Sequence, residues 1–267
     1  MKKSKYRVLL VEDDQLDQMA FERLVQQEEL AYDYEIAACV SEAREVLKSN
    51  EFDIVISDYS LGDGTALDIL AMVKNIPVVL VTGAGDEEVA VNAYKAGAYD
   101  YLVKDFERNY LKTLPITVEN VIKHKQTEEQ MRLLSAAVMS TSESVYITDL
   151  EDKIMFVNKA FCRTYGYRED EVIGSNSHIL WMSKPENNYT RSVFRTSFGG
   201  EWELAFYHKR KDGSIFPVSL SRSIVKNGRG HSIAVVGVVR DITELVLVED
   251  KVKALNETLQ QQSRVLI

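Results

Sequence analysis

Charged and hydroxyl side chains follow four apolar runs in the first half of the sequence. Glu12 and Asp13 come after the first of these runs, Asp58 ends another, Thr82 a third and Lys104 the last. Three carboxylates brought together repel one another and raise one another's pKa unless a cation lies among them, and Mg²⁺ is a hard cation that prefers oxygen ligands. Beside such an ion, a carboxylate facing an ammonium and a hydroxyl can accept a phosphoryl group, because both neutralise its oxygens.

These side chains need a scaffold that brings the ends of the runs together. The apolar runs alternate with segments of helical periodicity, which predicts five β-strands with helices between them. The strands are predicted at residues 7–11, 34–38, 52–57, 77–81 and 99–103. Strands that are apolar throughout are typical of a parallel sheet covered on both faces, and sites in such sheets form at the carboxyl ends of the strands. Ser41 is expected to cap the second helix.

Residues 5–125 also resemble a known domain. The resemblance is to the response-regulator receiver domain of two-component signalling, and it is carried by residues 8–14 (VLLVEDD), 57–64 (SDYSLGDG), 81–83 (VTG) and 95–104 (KAGAYDYLVK). It implies a CheY-like, flavodoxin-like fold, that is, a doubly wound α/β domain with a five-stranded parallel sheet.

The resemblance implies a metal-dependent phosphoryl site. Asp58 matches the phosphoacceptor, and Glu12 and Asp13 match the acidic pair around Mg²⁺. Ser60, two residues after the phosphoacceptor, is expected to offer its backbone carbonyl to the metal. The metal set implied is therefore Glu12, Asp13, Asp58 and Ser60.

Further residues match positions that, in the family, contact the phosphoryl group or respond to it. Thr82 and Lys104 match the pair that contacts phosphate, and Tyr101 matches the aromatic switch. Ser60 and Ala84 stand at the two variable positions beside the site, and neither is an acid or amide that could orient a hydrolytic water. We therefore expect no dedicated help for self-dephosphorylation, and a phosphoryl half-life of seconds would contradict this.

The second half of the sequence lacks the strand and helix alternation of the first. A helical segment extends from about residue 107 to 138, and two strands, short helices and three long strands follow, which predicts an α+β domain with a five-stranded antiparallel sheet. The strands are predicted at residues 145–149, 154–157, 202–210, 215–225 and 233–241, and the helices at 159–165, 169–172 and 189–198.

Residues 130–245 resemble a PAS domain, a sensor and dimerisation module. The stretches that carry the resemblance are 156–161 (FVNKAF), 166–174 (GYREDEVIG), 200–202 (GEW), 210–216 (RKDGSIF) and 240–244 (RDITE). Relatives that sense light carry a flavin-reactive cysteine where this chain has Ser177. His178 and His208 are the nearby candidates for a haem ligand, and both are expected in loops or at the surface. Aromatic strand residues such as Tyr207 more often build a core than line a pocket, so the PAS ligand stays unidentified and we expect no bound cofactor.

The last segment of the sequence has a heptad pattern. Apolar residues alternate in steps of three and four, with one polar exception, along Leu245, Val248, Val252, Leu255, Leu259, Gln262 and Leu266. Such a seam predicts a parallel dimeric coiled coil. The alternative is a single amphipathic helix that packs on its own domain.

Composition limits the classes of protein that fit. The formal net charge is −9, and all of it lies in residues 1–125, which hold 14 basic and 23 acidic side chains. An acidic chain is a poor candidate for binding nucleic acid through the phosphate backbone. The 267-residue sequence contains no run long enough to insert into a membrane and no signal-peptide pattern, and its two cysteines are expected as buried free thiols. These features predict a cytoplasmic protein.

The predicted organisation is a receiver domain at 1–125, a helical linker at 126–142, a PAS domain at 143–243 and a coiled-coil helix at 244–267. It predicts a dimeric, non-enzymatic response regulator that a partner histidine kinase or phosphotransfer protein phosphorylates. One alternative is the N-terminal regulatory part of a larger histidine kinase or diguanylate cyclase, although these residues contain no such catalytic motif. Another is a ligand-sensing PAS protein that its receiver tunes.

Overall fold

The computed structural model describes residues 5–83, 87–105, 107–181 and 204–265. The chain divides into two compact units, Met1–Met131 and Arg132–Ile267. The helix predicted at 189–198 lies outside the described residues, as do Ala84, Trp202 and Leu266.

The first unit contains a parallel sheet of five strands among its described residues. Strand order in this sheet is β2-β1-β3-β6-β7, and every neighbouring pair runs parallel. The strands of this unit are β1 (Tyr6–Val11), β2 (Tyr32–Ala37), β3 (Ile54–Asp58), β4 (Ser60–Leu61), β5 (Gly64–Thr65), β6 (Val78–Thr82) and β7 (Asp100–Val103). The helices are α1 (Gln15–Gln27), α2 (Val40–Ser49), α3 (Ala66–Met72), α4 (Glu87–Lys95) and α5 (Tyr110–Ser140). The predicted doubly wound α/β fold is confirmed.

Both faces of this sheet are buried. Leu9 and Val55 point into a core with α2 and α3, whereas Val8 and Ile54 point into a second core with α1 and α5. Strands packed on both faces read as continuous apolar runs, which is why the sequence showed them clearly. Since the strand interiors are used for packing, chemistry is confined to the strand ends.

The start of α2 differs from the prediction. Cys39, not Ser41, is the N-cap, and a carboxylate from the turn between β4 and β5 completes the cap. Asp63 accepts hydrogen bonds from the backbone N–H groups of Val40 (2.7 Å) and Ser41 (2.9 Å). Its hydrogen bonds with Ser41 and Val40 lower the pKa of Asp63 to about 2. Cys39 and Cys162 are free, as expected, but they are half-buried rather than buried.

The second unit contains an antiparallel sheet of five strands within the described part of the chain. Strand order is β10-β11-β12-β8-β9. The strands are β8 (Ser144–Thr148), β9 (Ile154–Val157), β10 (Leu204–Lys209), β11 (Ile215–Lys226) and β12 (Ser232–Asp241). The helices are α6 (Lys159–Tyr165), α7 (Glu169–Val172), a 3₁₀ helix (Ser177–Leu180) and α8 (Thr243–Val265). The predicted α+β layout is confirmed.

A buried asparagine ties the end of α5 to the second unit. Asn158 caps α6, where its side-chain oxygen accepts hydrogen bonds from the N–H groups of Phe161 (2.9 Å) and Val145 (3.0 Å). Its side-chain N–H group donates to the carbonyl of Val138, in the last turn of α5, at 3.1 Å. An N-cap that also bonds the preceding helix fixes the path of the chain into this sheet.

Helix α5 spans the boundary between the two units. It begins at Tyr110 rather than near residue 107, because Arg108 adopts a left-handed conformation with φ 54°. Pro115 lies inside the helix and removes one backbone donor from its second turn. Among the described helices, none is both long and apolar enough to cross a bilayer.

The position of His208 overturns the expectation of a surface or loop residue. His208 lies in β10 with 2% of its surface exposed, and its Nδ1 lies 2.5 Å from the hydroxyl of Tyr165. Strand alternation places His208 opposite Phe216, a core residue, so its side chain faces the same core. Burial lowers the pKa of His208 to about 4. A neutral imidazole hydrogen-bonded to a phenol is therefore part of this core.

We predict that the second unit loses stability as the pH falls from about 6.5 to 4. An unfolded histidine binds its proton near pH 6.5 but the folded His208 only near 4, so protons favour unfolding across this window, by up to ~3 kcal/mol. Both tryptophans, Trp181 and Trp202, lie in this unit, so urea unfolding followed by tryptophan fluorescence reports on it. His208→Gln should flatten the pH dependence and the exposed-site control His231→Gln should not; equal pH dependence in all three proteins would contradict the prediction.

Candidate functional site

Three carboxylates meet at the carboxyl edge of the parallel sheet. Glu12 and Asp13 follow β1, Asp58 ends β3, and the register that pairs Val11 with Ser57 brings the two strand ends level. One oxygen from each carboxylate lies within 4.8 Å of the others. Glu12 is buried and Asp13 is exposed, so the group opens to solvent on one side.

Local hydrogen bonds hold the carboxylates in place. The backbone N–H of Asp14 donates to Glu12 Oε1 (3.3 Å), and Asp14 itself caps α1. The side chain of Gln18, on α1, donates to the backbone carbonyl of Glu12 (2.6 Å). The N–H of Ser60 donates to Asp58 Oδ1 (3.3 Å). The loops after β1 and β3 therefore position both strand-end carboxylates.

Lys104 brings its ammonium into this group from the end of β7. Its backbone N–H donates to the carbonyl of Thr82 (2.7 Å), which anchors the residue beside β6. Its Nζ lies 2.6 Å from Asp58, 2.8 Å from Glu12 and 2.9 Å from Asp17. All four side chains are mostly buried, so these ion pairs are shielded from solvent.

The charges perturb one another. Burial raises the pKa of Glu12 to about 7, against the attraction of Lys104. Burial alone lowers the pKa of Lys104, but hydrogen bonds to Asp58, Glu12 and Asp17 hold it above its ordinary value. The site therefore keeps a charged lysine among more carboxylates than it can neutralise, which is the electrostatic condition for binding a cation.

The donor set fits a hard divalent cation. Glu12, Asp13 and Asp58 supply three carboxylate oxygens close together, and the exposed carboxylate of Asp13 makes no ion pair among the described residues. Mg²⁺ is held by a few carboxylates and keeps several of its waters, so an open carboxylate cluster of this kind suits it.

The other predicted site residues, Thr82 and Tyr101, lie near this edge, and among the described residues neither side chain is hydrogen-bonded to Asp58. Thr82 ends β6, and its hydroxyl makes a long hydrogen bond to the carbonyl of Gly83 (3.4 Å). Tyr101 lies in β7, half-buried, with its ring edge-on to that of Tyr94 at 5.8 Å between centroids. Thr82 therefore lies on the strand next to that of Asp58, and Tyr101 lies one strand further along the sheet.

Two charged residues of the site were not predicted from the sequence. Asp17 lies in the first turn of α1 and contacts Lys104, and Arg108 contacts the other oxygen of Asp17 at 3.0 Å. Neither residue stands at a strand end, which was the signal that identified the rest. For Asp17, the sequence offers one signal: it follows Asp14 by three residues, which places it in the first turn of a helix that an acid caps.

The second unit contains buried hydroxyls without a hydrogen-bond partner. Among the described residues they belong to Ser144, Tyr146, Thr148 and Ser177, all of which are buried. The ring of Tyr146 lies over Gly237 on the neighbouring strand, where a Cβ would come within 2.3 Å of it. Buried hydroxyls without a hydrogen-bond partner are uncommon in folded proteins. His178, by contrast, is exposed.

We predict that Lys104→Met tightens Mg²⁺ binding by about tenfold. The substitution removes a positive charge that competes with the ion for Asp58 and Glu12, and tenfold corresponds to ~1.4 kcal/mol of lost repulsion. Calorimetric titration of the full chain with Mg²⁺ measures the change. Lys104→Arg keeps the charge and is the control, so an equal gain in both variants, or no gain in Lys104→Met, would contradict the prediction.

Comparison with known protein families identifies both units. Residues 8–114 match the model for the response regulator receiver domain, and residues 142–244 match the model for the PAS domain. The match at 8–114 contains every residue of the carboxylate and lysine cluster described above.

Curated relatives are regulators and a kinase. The chain is 30% identical over 148 residues to the DNA-binding transcriptional regulator NtrC of Proteus hauseri, covering 53% of this chain and 30% of that protein. It is 28% identical over 239 residues to the sensory transduction protein LytT of Bacillus anthracis, covering 80% of this chain and 94% of that protein. It is 24% identical to the sensor histidine kinase TmoS of Ectopseudomonas mendocina, covering 97% of this chain and 30% of that protein.

The chain therefore spans less than a third of the length of NtrC and of TmoS. The two domain matches and the regulator relatives together support a two-component response regulator. The chain carries a response regulator receiver domain followed by a PAS domain.

Proposed function

We propose that this chain is a cytoplasmic response regulator in which Asp58 accepts a phosphoryl group from a partner histidine kinase or phosphotransfer protein. The observation that carries the proposal is the convergence on Asp58 of a lysine ammonium at 2.6 Å and two further carboxylates. In this proposal residues 1–125 form the receiver, 126–142 a helical linker, 143–243 the PAS domain and 244–267 a coiled-coil helix. The chain acts as a signalling protein and catalyses at most its own phosphorylation and dephosphorylation.

The proposed step is an in-line displacement at phosphorus. An oxygen of Asp58 forms a bond to the phosphorus, and the bond from phosphorus to the donor's histidine nitrogen breaks, with the electron pair left on that nitrogen. Glu12, Asp13, Asp58 and the carbonyl of Ser60 would hold Mg²⁺, which when bound supplies positive charge beside the phosphoryl oxygens. Lys104 donates a hydrogen bond to one of these oxygens.

The signal then passes from the site to the rest of the receiver. Thr82 turns its hydroxyl to the phosphoryl group, and Tyr101 moves with it to a second arrangement. A new group on Asp58 changes which arrangement is favoured, in the sense of a population shift. Helix α5, which packs on the receiver core through Leu114 and Val118, leads out of the receiver toward the PAS domain.

We predict that Asp58→Asn abolishes phosphorylation by a small phosphodonor such as acetyl phosphate with Mg²⁺. The amide cannot form the acyl phosphate, whereas Asp33→Asn, an exposed carboxylate on β2, should leave the reaction unchanged. Intact-mass spectrometry of the full chain detects one added phosphoryl group. Equal labelling of Asp58→Asn and the wild type would refute the assignment.

We further propose that the chain forms a homodimer through its PAS domain and α8. Five seam residues of the heptad pattern lie within the part of α8 whose side chains are described, and each is more than half exposed: Leu245, Val248, Val252, Leu255 and Leu259. An apolar stripe of this width is typical of the seam of a two-stranded coiled coil, which supports the proposal. Lys253 and Glu257 lie on the polar side of the same helix.

We predict that Val252→Glu converts the proposed dimer to a monomer. A carboxylate at a seam position would be buried against the same charge on the second chain. Light scattering coupled to size exclusion gives the mass, and Lys253→Glu, also exposed but outside the seam, should remain dimeric. A monomeric wild type at high protein concentration would remove the proposal.

Two alternatives have a specific observation behind them. The alignment with 30% of a sensor histidine kinase favours the regulatory part of a larger kinase, and reading the source gene beyond Ile267 decides this. The unpartnered hydroxyls of Tyr146, Thr148 and Ser177 favour a PAS domain that senses a small ligand. Native mass spectrometry of the purified chain tests that alternative directly, since a bound ligand adds mass.

A further inference from the structure

Every N–H donor of the Lys104 ammonium faces a carboxylate. It has three N–H groups, and three carboxylates lie within 2.9 Å of its nitrogen: Asp58, Glu12 and Asp17. Asp58 and Glu12 belong to the proposed metal set, but Asp17 does not. Its carboxylate comes from the first turn of α1 and not from a strand end.

Arg108 holds the other oxygen of Asp17. The guanidinium Nη2 lies 3.0 Å from Asp17 Oδ1, whereas Lys104 contacts Oδ2. Arg108 adopts a left-handed backbone conformation, which non-glycine residues seldom adopt. Its N–H donates to the carbonyl of Asp105, and its own carbonyl accepts from Leu111 at the start of α5. This turn fixes Arg108 between the site lysine and the helix.

A phosphoryl group on Asp58 changes the demands on Lys104. The new oxygens need a donor, and in the unphosphorylated protein all three donors of Lys104 face carboxylates. Glu12 and Asp58 are the groups that Mg²⁺ would engage, so Asp17 is the carboxylate that competes with the phosphoryl group for the ammonium. Once Lys104 turns away, Arg108 is the cation that remains on Asp17.

We propose that Asp17 and Arg108 are positioning residues that set the affinity of the site for the phosphoryl group: Asp17 holds Lys104 back in the unphosphorylated protein, and Arg108 neutralises Asp17 when Lys104 leaves it. This inference rests on the proposed function, because it assumes that Asp58 carries the phosphoryl group. It gives the two residues opposite effects, although they form one ion pair. If the ion pair served only to hold α1 against the turn between β7 and α5, substituting either residue would change the affinity in the same direction.

The test uses beryllofluoride, a phosphoryl mimic, titrated by calorimetry into the full chain at saturating Mg²⁺. Asp17→Asn removes the competing charge in nearly the same shape, and its affinity should rise about fivefold. Arg108→Asn leaves Asp17 dependent on Lys104, and its affinity should fall about fivefold; asparagine tolerates the left-handed backbone, so the turn is kept. The double variant should behave like Asp17→Asn, since Arg108 then has no carboxylate to neutralise.

Controls separate this inference from simple surface charge and from the proposed function itself. Arg23→Asn removes an exposed positive charge elsewhere on α1 and should match the wild type, and Arg108→Lys should restore most of the affinity that Arg108→Asn loses. Changes of the same sign in Asp17→Asn and Arg108→Asn, or no change in either, would overturn the inference and leave the proposed function intact. If neither the wild type nor Asp58→Asn binds beryllofluoride, both the proposed function and this inference are overturned.

Discussion

The charge balance at one edge of a parallel sheet governs the receiver. Parallel strands end level with one another, so residues that follow them are brought together whether or not their charges agree. Here that geometry collects Glu12, Asp13 and Asp58, and the one ammonium of Lys104 reaches two of them. Carboxylates this close together favour the binding of a cation. The folding of the rest of the domain keeps them together despite their mutual repulsion.

The two units differ in how their sheets are buried, and this difference locates their chemistry. The receiver sheet is covered on both faces, so its strands carry apolar side chains and its polar groups lie at the edge. The PAS sheet packs its core on one face, and polar side chains such as His208 and Tyr146 enter that core from the strands themselves. In the receiver the charged groups are therefore at the edge of the sheet, whereas in the PAS domain polar groups are part of the core.

The sequence predicted what depends on periodicity and strand ends. Both sheet types and the placement of Glu12, Asp13, Asp58 and Lys104 at one edge follow from apolar runs and the residues after them. Contacts that depend on a tertiary partner were not predictable. Buried His208 is hydrogen-bonded to Tyr165, forty-three residues earlier in the chain. The start of α2 is capped in part by Asp63, which lies in the turn between β4 and β5. Asp17 lies on a helix, where the spacing of residues predicts which face of the helix a side chain occupies. It does not predict which residue of another element that side chain contacts.

Arg108 connects the site to helix α5, which leaves the receiver. Arg108 pairs with Asp17 through its side chain, and its backbone carbonyl accepts the N–H of Leu111 in the first turn of α5. A left-handed residue between two such constraints is held by them, because an unconstrained chain would relax to a more common conformation. At the C-terminal end of α5, the side chain of Asn158 donates a hydrogen bond to the carbonyl of Val138, so hydrogen bonds from outside the helix hold both of its ends.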